Sequence, residues 1–189
     1  MRKSVKADQG QLRVIGGAWR GRKLTFPALP GLRPTPDRIR ETLFNWLAPA
    51  LPGARCLDLF AGSGALGLEA LSRGAAYCDF VEVARPAAFA IETHLATLGA
   101  THRASVHCME ARSVTAQAAD IIFIDPPFDS ELLQSTLNWL PSSQLLSPKA
   151  LIYVEQRRGL SLPETEGFAS VLRDKTSGDV RYALLSVRS

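Results

Sequence analysis

The stretch that most limits how this chain can fold is Gly62-Ser63-Gly64-Ala65-Leu66-Gly67. It follows an apolar run over residues 55–60 and opens a helical pattern over 64–73. Glycines at these spacings between a strand and a helix allow a tight turn, a close backbone approach to a ligand and tight helix–sheet packing. The alternation then continues. Strands are expected at 77–82, 104–108, 120–125 and 150–155, with helices at 85–98 and 129–140. Repeated strand–helix units of this size predict a parallel sheet covered by helices on both faces. Two more strand-like runs, 169–174 and 180–187, are split by Thr176-Ser177-Gly178-Asp179, which has hairpin chemistry.

The first part of the chain follows a different pattern. Residues 12–15 and 22–26 read as short strands around the glycine-rich turn Gly16-Gly17-Ala18-Trp19-Arg20-Gly21. A proline-rich connector runs from Pro27 to Pro34. Thr35-Pro36-Asp37 then predicts a helix start, with Thr35 as N-cap and Pro36 in the first helical position. Ile39, Leu43, Trp46 and Leu47 follow at helical spacing, and the helix should stop before Pro52. The expected division is a basic tail and hairpin over 1–34 and a main α/β domain over 35–189.

Charge separates these two parts. Residues 1–40 hold ten Lys/Arg against two Asp, a net of +8, whereas the remainder carries 12 basic and 16 acidic side chains, a net of −4. Such asymmetry suggests a polyanionic partner. Arg13, Arg20, Arg22, Lys23, Arg33 and Arg38 are candidate RNA contacts, with Trp19 either stacking on a base or capping the hairpin's own core. No apolar run is long enough for a membrane span and the N-terminus lacks a signal-peptide core, so a cytoplasmic protein is expected. Cys56, Cys78 and Cys108 each fall in an expected strand and read as buried packing residues. Neither the cysteines nor His94, His102 and His107 stand at ligand spacing, and no metal is expected.

Two constellations carry chemistry. The glycine loop, with Asp58, Phe60, Ala61, Gly62 and Gly64 before the helix and Glu82 ending the next strand, suits a nucleoside cofactor whose ribose hydroxyls Glu82 accepts. On these features a nicotinamide cofactor and an oxidoreductase remain open. Asp58 favours S-adenosylmethionine, whose ammonium group it could face, although it could also only cap the turn. Glu110 and Ala111, after the third strand of the series, are candidates for the adenine edge. The second constellation is Asp125-Pro126-Pro127-Phe128, delivered by the apolar strand Ile121–Ile124 to the end where open α/β sheets place active sites. An exocyclic base amine is a poor nucleophile because its lone pair is delocalised into the ring. The Asp125 carboxylate and the Pro126 carbonyl could draw its hydrogens out of plane, with Phe128 stacked on the flipped base.

Longer runs narrow the choice. Arg13-Val14-Ile15-Gly16-Gly17, Trp19-Arg20-Gly21-Arg22, Leu32-Arg33-Pro34-Thr35 with Arg38, Arg40 through Leu47, Leu57 through Arg73, Asp125–Phe128, Tyr153-Val154-Glu155 and Gly178–Tyr182 resemble the bacterial RsmD-type methyltransferases. These methylate the N2 amine of a guanine in 16S ribosomal RNA. The resemblance implies a Rossmann-like class I methyltransferase fold, with a mostly parallel seven-stranded sheet, a C-terminal antiparallel hairpin and a small N-terminal hairpin extension. It also implies S-adenosylmethionine as cofactor, 16S rRNA in the small subunit or its assembly intermediate as partner, and a basic hairpin that grips RNA. A monomer is expected. His94 stands where the family pattern suggests Asn, and Thr35 and Arg40 could approach the methionine end or the RNA, or serve packing and capping. Two further readings are an adenine-N6 methyltransferase and a non-catalytic RNA-binding assembly factor.

Overall fold

The computed structural model describes residues 9–188. Its amino-terminal hairpin pairs β1 (Gln9–Arg13) with β2 (Lys23–Pro27) in antiparallel register, from Gln9 opposite Pro27 to Arg13 opposite Lys23. Only alternate residues of the hairpin face inward. Leu12, Val14, Leu24 and Phe26 are buried and join the same apolar cluster as the helices of the main domain.

After the connector comes α1 (Asp37–Leu47), with Ile39, Leu43, Phe44 and Leu47 buried. The expected Thr35 cap is not made. Pro36 occupies the N-cap position without a side-chain bond, and the Thr35 hydroxyl turns away toward Asp125. Thr35 therefore stands one residue before the cap, where its hydroxyl donates to the Asp125 carboxylate rather than accepting a helix-end N–H.

The main sheet contains β3 (Arg55–Asp58), β4 (Tyr77–Val81), β5 (Ala104–His107), β6 (Ala119–Ile124), β7 (Leu146–Arg157), β8 (Ala169–Ser177) and β9 (Val180–Val187), in spatial order β5-β4-β3-β6-β7-β9-β8. The pairs among β5, β4, β3, β6 and β7 are parallel, and β9 is antiparallel to both β7 and β8. Helices α2 (Ala65–Ser72), α3 (Arg85–Thr97) and α4 (Leu132–Trp139) connect the parallel strands. Successive β6 residues serve opposite faces. Ile121 and Phe123 pack with α1, α2 and α3, while Ile122 and Ile124 pack with α4, which is why this strand is apolar throughout. Strand order reverses between β3 and β6, and such a switch point opens a crevice at the carboxyl ends of the two strands.

Cys56 and Cys78 are buried as expected, but Cys108 lies beyond the end of β5 and is exposed. β5 ends one residue short at a tight turn, where Met109 N–H donates back to His107 O at 3.1 Å. β7 runs well past the expected 150–155 at both ends, since its carboxyl half pairs with β9 as far as Arg157 opposite Val180.

Candidate active site

The glycine loop sits at the switch point. Leu59 N–H donates to Phe123 O (3.1 Å) and Ala61 N–H to Val81 O (2.9 Å), so the loop is strung between β6 and β4. Gly62 and Gly64 have φ of 53° and 79°, the left-handed region that a side chain resists. Gly67 serves packing instead: a Cβ there would lie 2.2 Å from Phe80 Cε1, so only glycine lets α2 settle on β4.

Two acids organise this loop. Glu82 accepts Gly62 N–H at Oε2 and Ala84 N–H at Oε1, both at 2.7 Å. Each oxygen keeps a lone pair for a further donor such as a ribose hydroxyl. Next to it Val83 is 69% exposed, an unburied apolar face suited to a flat aromatic ligand. Asp58 is buried, and its Oδ2 accepts Gly67 N–H at 3.1 Å. This bond ties it to the first turn of α2. Burial and the neighbouring Asp125 and Glu82 charges, opposed by the Gly67 bond, push the Asp58 carboxyl up to about 7. A cation against it would restore the ionised form. Glu110 is exposed beyond β5 and half-buried Ala111 begins a short 3₁₀ turn, at the same end of the sheet.

Across the crevice, Asp125 and Pro126 follow directly on β6. Asp125 Oδ2 accepts the Thr35 hydroxyl at 3.4 Å, while Oδ1 accepts no hydrogen bond among the described residues. Pro127 O is taken by the Ser130 hydroxyl and N–H, whereas Pro126 O has no donor among the described residues. Two adjacent acceptors thus stand free at the crevice. Phe128 is half-buried beside them.

A buried acid stands beside the half-buried Asp125, and the sequence reading assigns it no role. Val154 lies opposite Ile124, so Glu155 emerges from β7 next to Asp125. It is 2% exposed and accepts the hydroxyl of the buried Tyr153 at 2.7 Å. Burial first, then the Asp125 charge, push the Glu155 carboxyl well above its usual range, outweighing the Tyr153 and Thr35 bonds. Burial raises Asp125 to about 7 against the Thr35 bond. Two acids this close favour one proton between them, as like charges in a poorly solvated site resist joint ionisation. The signal in the sequence is an apolar strand ending in an acid, parallel to the one that delivers Asp125.

The predicted RNA contacts separate into two groups. Arg33 lies between Leu32, whose Cδ1 would be 3.0 Å from a Cβ on Gly62, and Thr35, and so stands at the crevice. Arg38 reaches the Ser177 hydroxyl (2.8 Å) on the same side. Arg20, Arg22 and Lys23 are exposed at the hairpin turn, which rests on the other end of α2: Trp19 N–H donates to Ser72 Oγ at 2.9 Å. The eight residues of α2 put that turn about 12 Å from Gly64. Trp19 packs half-buried against the core, and Arg13 pairs with Asp37 at 2.9 Å.

Arg40 belongs to the framework. It is 1% exposed and donates to Thr35 O (3.0 Å), Arg13 O (2.9 Å), Asp37 (2.6 Å) and Glu69 (3.3 Å). Glu69, fully buried on α2, also accepts the N–H groups of Ile15 (2.9 Å) and Gly16 (2.7 Å) and the Arg73 guanidinium (2.7 Å). This network fastens the hairpin, α1 and α2 and holds Thr35 toward Asp125. Among the described residues no group of three His, Cys, Asp or Glu could hold a metal ion, and no helix is long and apolar enough to cross a membrane.

The family model described as conserved hypothetical protein 95 matches residues 12–186, nearly the whole chain. The ribosomal RNA small subunit methyltransferase D of Escherichia coli strain K12 is 49% identical over 97% of this chain and 94% of its own length. This chain belongs to the RsmD family. Its Haemophilus influenzae relative of the same name is 41% identical over 93% of this chain and 94% of its own. The solved E. coli structure of yhhF superposes with a TM-score of 0.85 at 46% identity, covering 95% of this chain and 99% of that one. A Haemophilus influenzae methylase superposes at 0.81 with 38% identity, covering 95% and 100%. The expected methyltransferase fold, with its C-terminal antiparallel hairpin and added N-terminal hairpin, is the fold this RsmD-family chain has.

Proposed function

We propose that this chain is an S-adenosylmethionine-dependent methyltransferase that modifies the N2 amine of a guanine in small-subunit ribosomal RNA. The observation that carries the reading is the pair of free acceptors, Asp125 Oδ1 and Pro126 O, at the carboxyl end of β6 beside the glycine loop. Membership of a family of small-subunit rRNA methyltransferases supports the substrate. In this reading the enzyme works as a cytoplasmic monomer without metal.

The amine donates one hydrogen to Asp125 Oδ1 and the other to Pro126 O, which tilts them out of the ring plane and localises the nitrogen lone pair. The prolines hold the backbone so that the carbonyl is aimed before the base arrives. Phe128 stacks on the flipped base. S-adenosylmethionine supplies an electrophilic methyl group when bound. The residues present suit it: Asp58 for its amino group, the Phe60–Gly64 backbone for its approach, Glu82 for the ribose hydroxyls, and Val83 with Glu110 and Ala111 around the adenine. As the N–CH₃ bond forms, the S–CH₃ bond of the bound donor breaks and leaves S-adenosylhomocysteine as the neutral thioether, and Asp125, whose proton affinity burial has raised, takes the proton that the nitrogen then sheds. Arg33 and Arg38 hold RNA at the crevice, and Arg13, Arg20, Arg22 and Lys23 with Trp19 hold it along the hairpin.

The test is methyl transfer from tritium-labelled S-adenosylmethionine to small-subunit particles that lack the modification, with naked rRNA and duplex DNA alongside, followed by nucleoside digestion. Label in N2-methylguanosine is expected. Label in N6-methyladenosine, or none on any substrate, would overturn the reading.

A pH dependence follows with a definite sign. Asp125 must be ionised to accept the amine hydrogens, so turnover at saturating substrates rises with pH through a limb at or below about 7. Asp125→Asn keeps an acceptor oxygen and loses the titration, so its lower activity should show a flattened limb. An unchanged limb in that variant would assign the titration to another group.

A further inference from the structure

Beyond Asp125 along the same end of the sheet, the end of β7 and the facing ends of β8 and β9 enclose an open pocket of about 370 Å³. It is lined by Arg158, Gly159, Asp174, Lys175, Thr176 and Arg181, three cations against one carboxylate. That carboxylate is already committed. Arg181 grips Asp174 with two bonds, Nε to Oδ1 at 3.0 Å and Nη2 to Oδ2 at 2.6 Å, and sends Nη1 to Leu160 O at 2.7 Å. The Arg181 bond holds the Asp174 carboxyl below its usual range. Arg158 and Lys175 are both exposed and have no carboxylate within 4.0 Å among the described residues. Among the described residues the Arg158 guanidinium donates only to Gly178 O, at 3.4 Å, its backbone N–H going to Asp179 O at 2.7 Å, and Lys175 Nζ lies 6.0 Å from the Trp46 ring centroid.

The pocket's place follows from register. Ile124 is beside Val154, and Arg157 is opposite Val180, so Arg158 lies about 13 Å farther along the strand direction than the end of β6. Two contacts tie this edge to the crevice: Arg157 to Asp129, just after Phe128, at 2.6 Å, and Arg38 to Ser177 at 2.8 Å. The amino-terminal hairpin turn lies at the far end of α2 instead.

We infer that this pocket is a phosphate-binding site for the RNA strand that carries the target base, with Arg158 and Lys175 as its ligands. This rests on the proposed rRNA substrate and deepens it. An RNA chain that delivers a flipped base to Asp125 must continue past the crevice. Two cations without protein partners at that distance release their counterions when a phosphate enters. Arg181, fixed by Asp174, shapes the wall. RNA fits better than an acidic protein surface because the free charge sits on the same edge as the base-handling residues.

The test compares Arg158→Ala/Lys175→Ala with Lys149→Ala/Arg188→Ala, which removes equal charge from exposed positions at the opposite end of the same strands. Naked small-subunit rRNA is the probe, with the dissociation constant measured between 50 and 200 mM salt. The pocket variant should bind at least about 10-fold more weakly at low salt. Its slope of log K against log salt should fall by about 0.7, the change for one single-strand phosphate that is no longer neutralised. Its S-adenosylmethionine affinity, measured by calorimetry, should stay at the wild-type value and show that the fold is intact. Equal slopes for the two variants would overturn the site. Weakening seen on assembled particles but absent on naked rRNA would overturn it too, by assigning the face to a ribosomal protein. Binding slopes are read without turnover, so failure of methyl transfer and failure of this site register separately.

Discussion

Replacing Asp125 by alanine lowers turnover by about 10²- to 10³-fold, the scale expected when one preorganised group aimed at developing charge is removed. The effect belongs to the transition state. Nothing in the cofactor loop is anchored on Asp125: the loop hangs from Phe123 O, Val81 O, Glu82 and Asp58. S-adenosylmethionine affinity should therefore be close to wild type, and single-turnover kinetics with calorimetry would measure both. Turnover within a few-fold of wild type would sink the clamp. Stability should move oppositely to activity. A carboxyl raised from 3.8 to about 7 by burial costs the folded state most once it is ionised, so stability is lost as pH climbs across that interval. The alanine variant escapes this cost, and its melting temperature relative to wild type should rise between pH 4 and pH 8.

The largest stability effect is expected at Glu69. Glu69→Ala strands the buried Arg40 guanidinium and Arg73 and leaves the Ile15 and Gly16 N–H groups without their acceptor. Removing one partner of a buried ion pair destabilises by about 3–5 kcal/mol. For a domain of this size that corresponds to a drop on the order of 10 °C in melting temperature. The damage should also be directional. Arg40 holds Thr35 O and Arg13 O as well, so the hairpin should become protease-sensitive and Thr35 should lose its aim at Asp125. Turnover then falls even below the new melting temperature. Glu69→Gln keeps one acceptor oxygen and most of the shape, and should lose less on both counts. A Glu69→Ala protein that melts within 2 °C of wild type would show that the network contributes little.

The alternating strands and helices, the glycine loop, Glu82 and the Asp125–Phe128 run are all legible in the order of residues. Each is a local signal. A glycine that must adopt positive φ, or an acid at the tip of a strand, declares itself within a few residues, because the backbone conformation or the strand end is decided there. The resemblance carries the family further, since its runs extend from Arg13 to Tyr182.

What the chain's order conceals is whatever depends on two distant segments meeting. Thr35 reads as a helix cap because Pro36 and Asp37 follow it; the fold instead brings Asp125 to its hydroxyl from 90 residues away. Arg40, one of the ten basic residues in the first forty, is buried because Glu69, Asp37 and two carbonyls converge on it, and a cation enters a core only when such partners are assembled. Cys108 reads as part of a strand that hydrogen bonding ends one residue earlier. Glu155 gains its place beside Asp125 from the parallel register of β6 and β7, and Arg158 and Lys175 become neighbours through pairing of β7, β8 and β9. The fold class, the glycine loop and the strand end that carries Asp125–Phe128 are thus written into the linear order, in short-range backbone and side-chain preferences. Which charges are buried and paired, and which stay free at the catalytic edge, is settled only when the elements assemble. That outcome is set by strand register and burial, and neither is a property of any single segment.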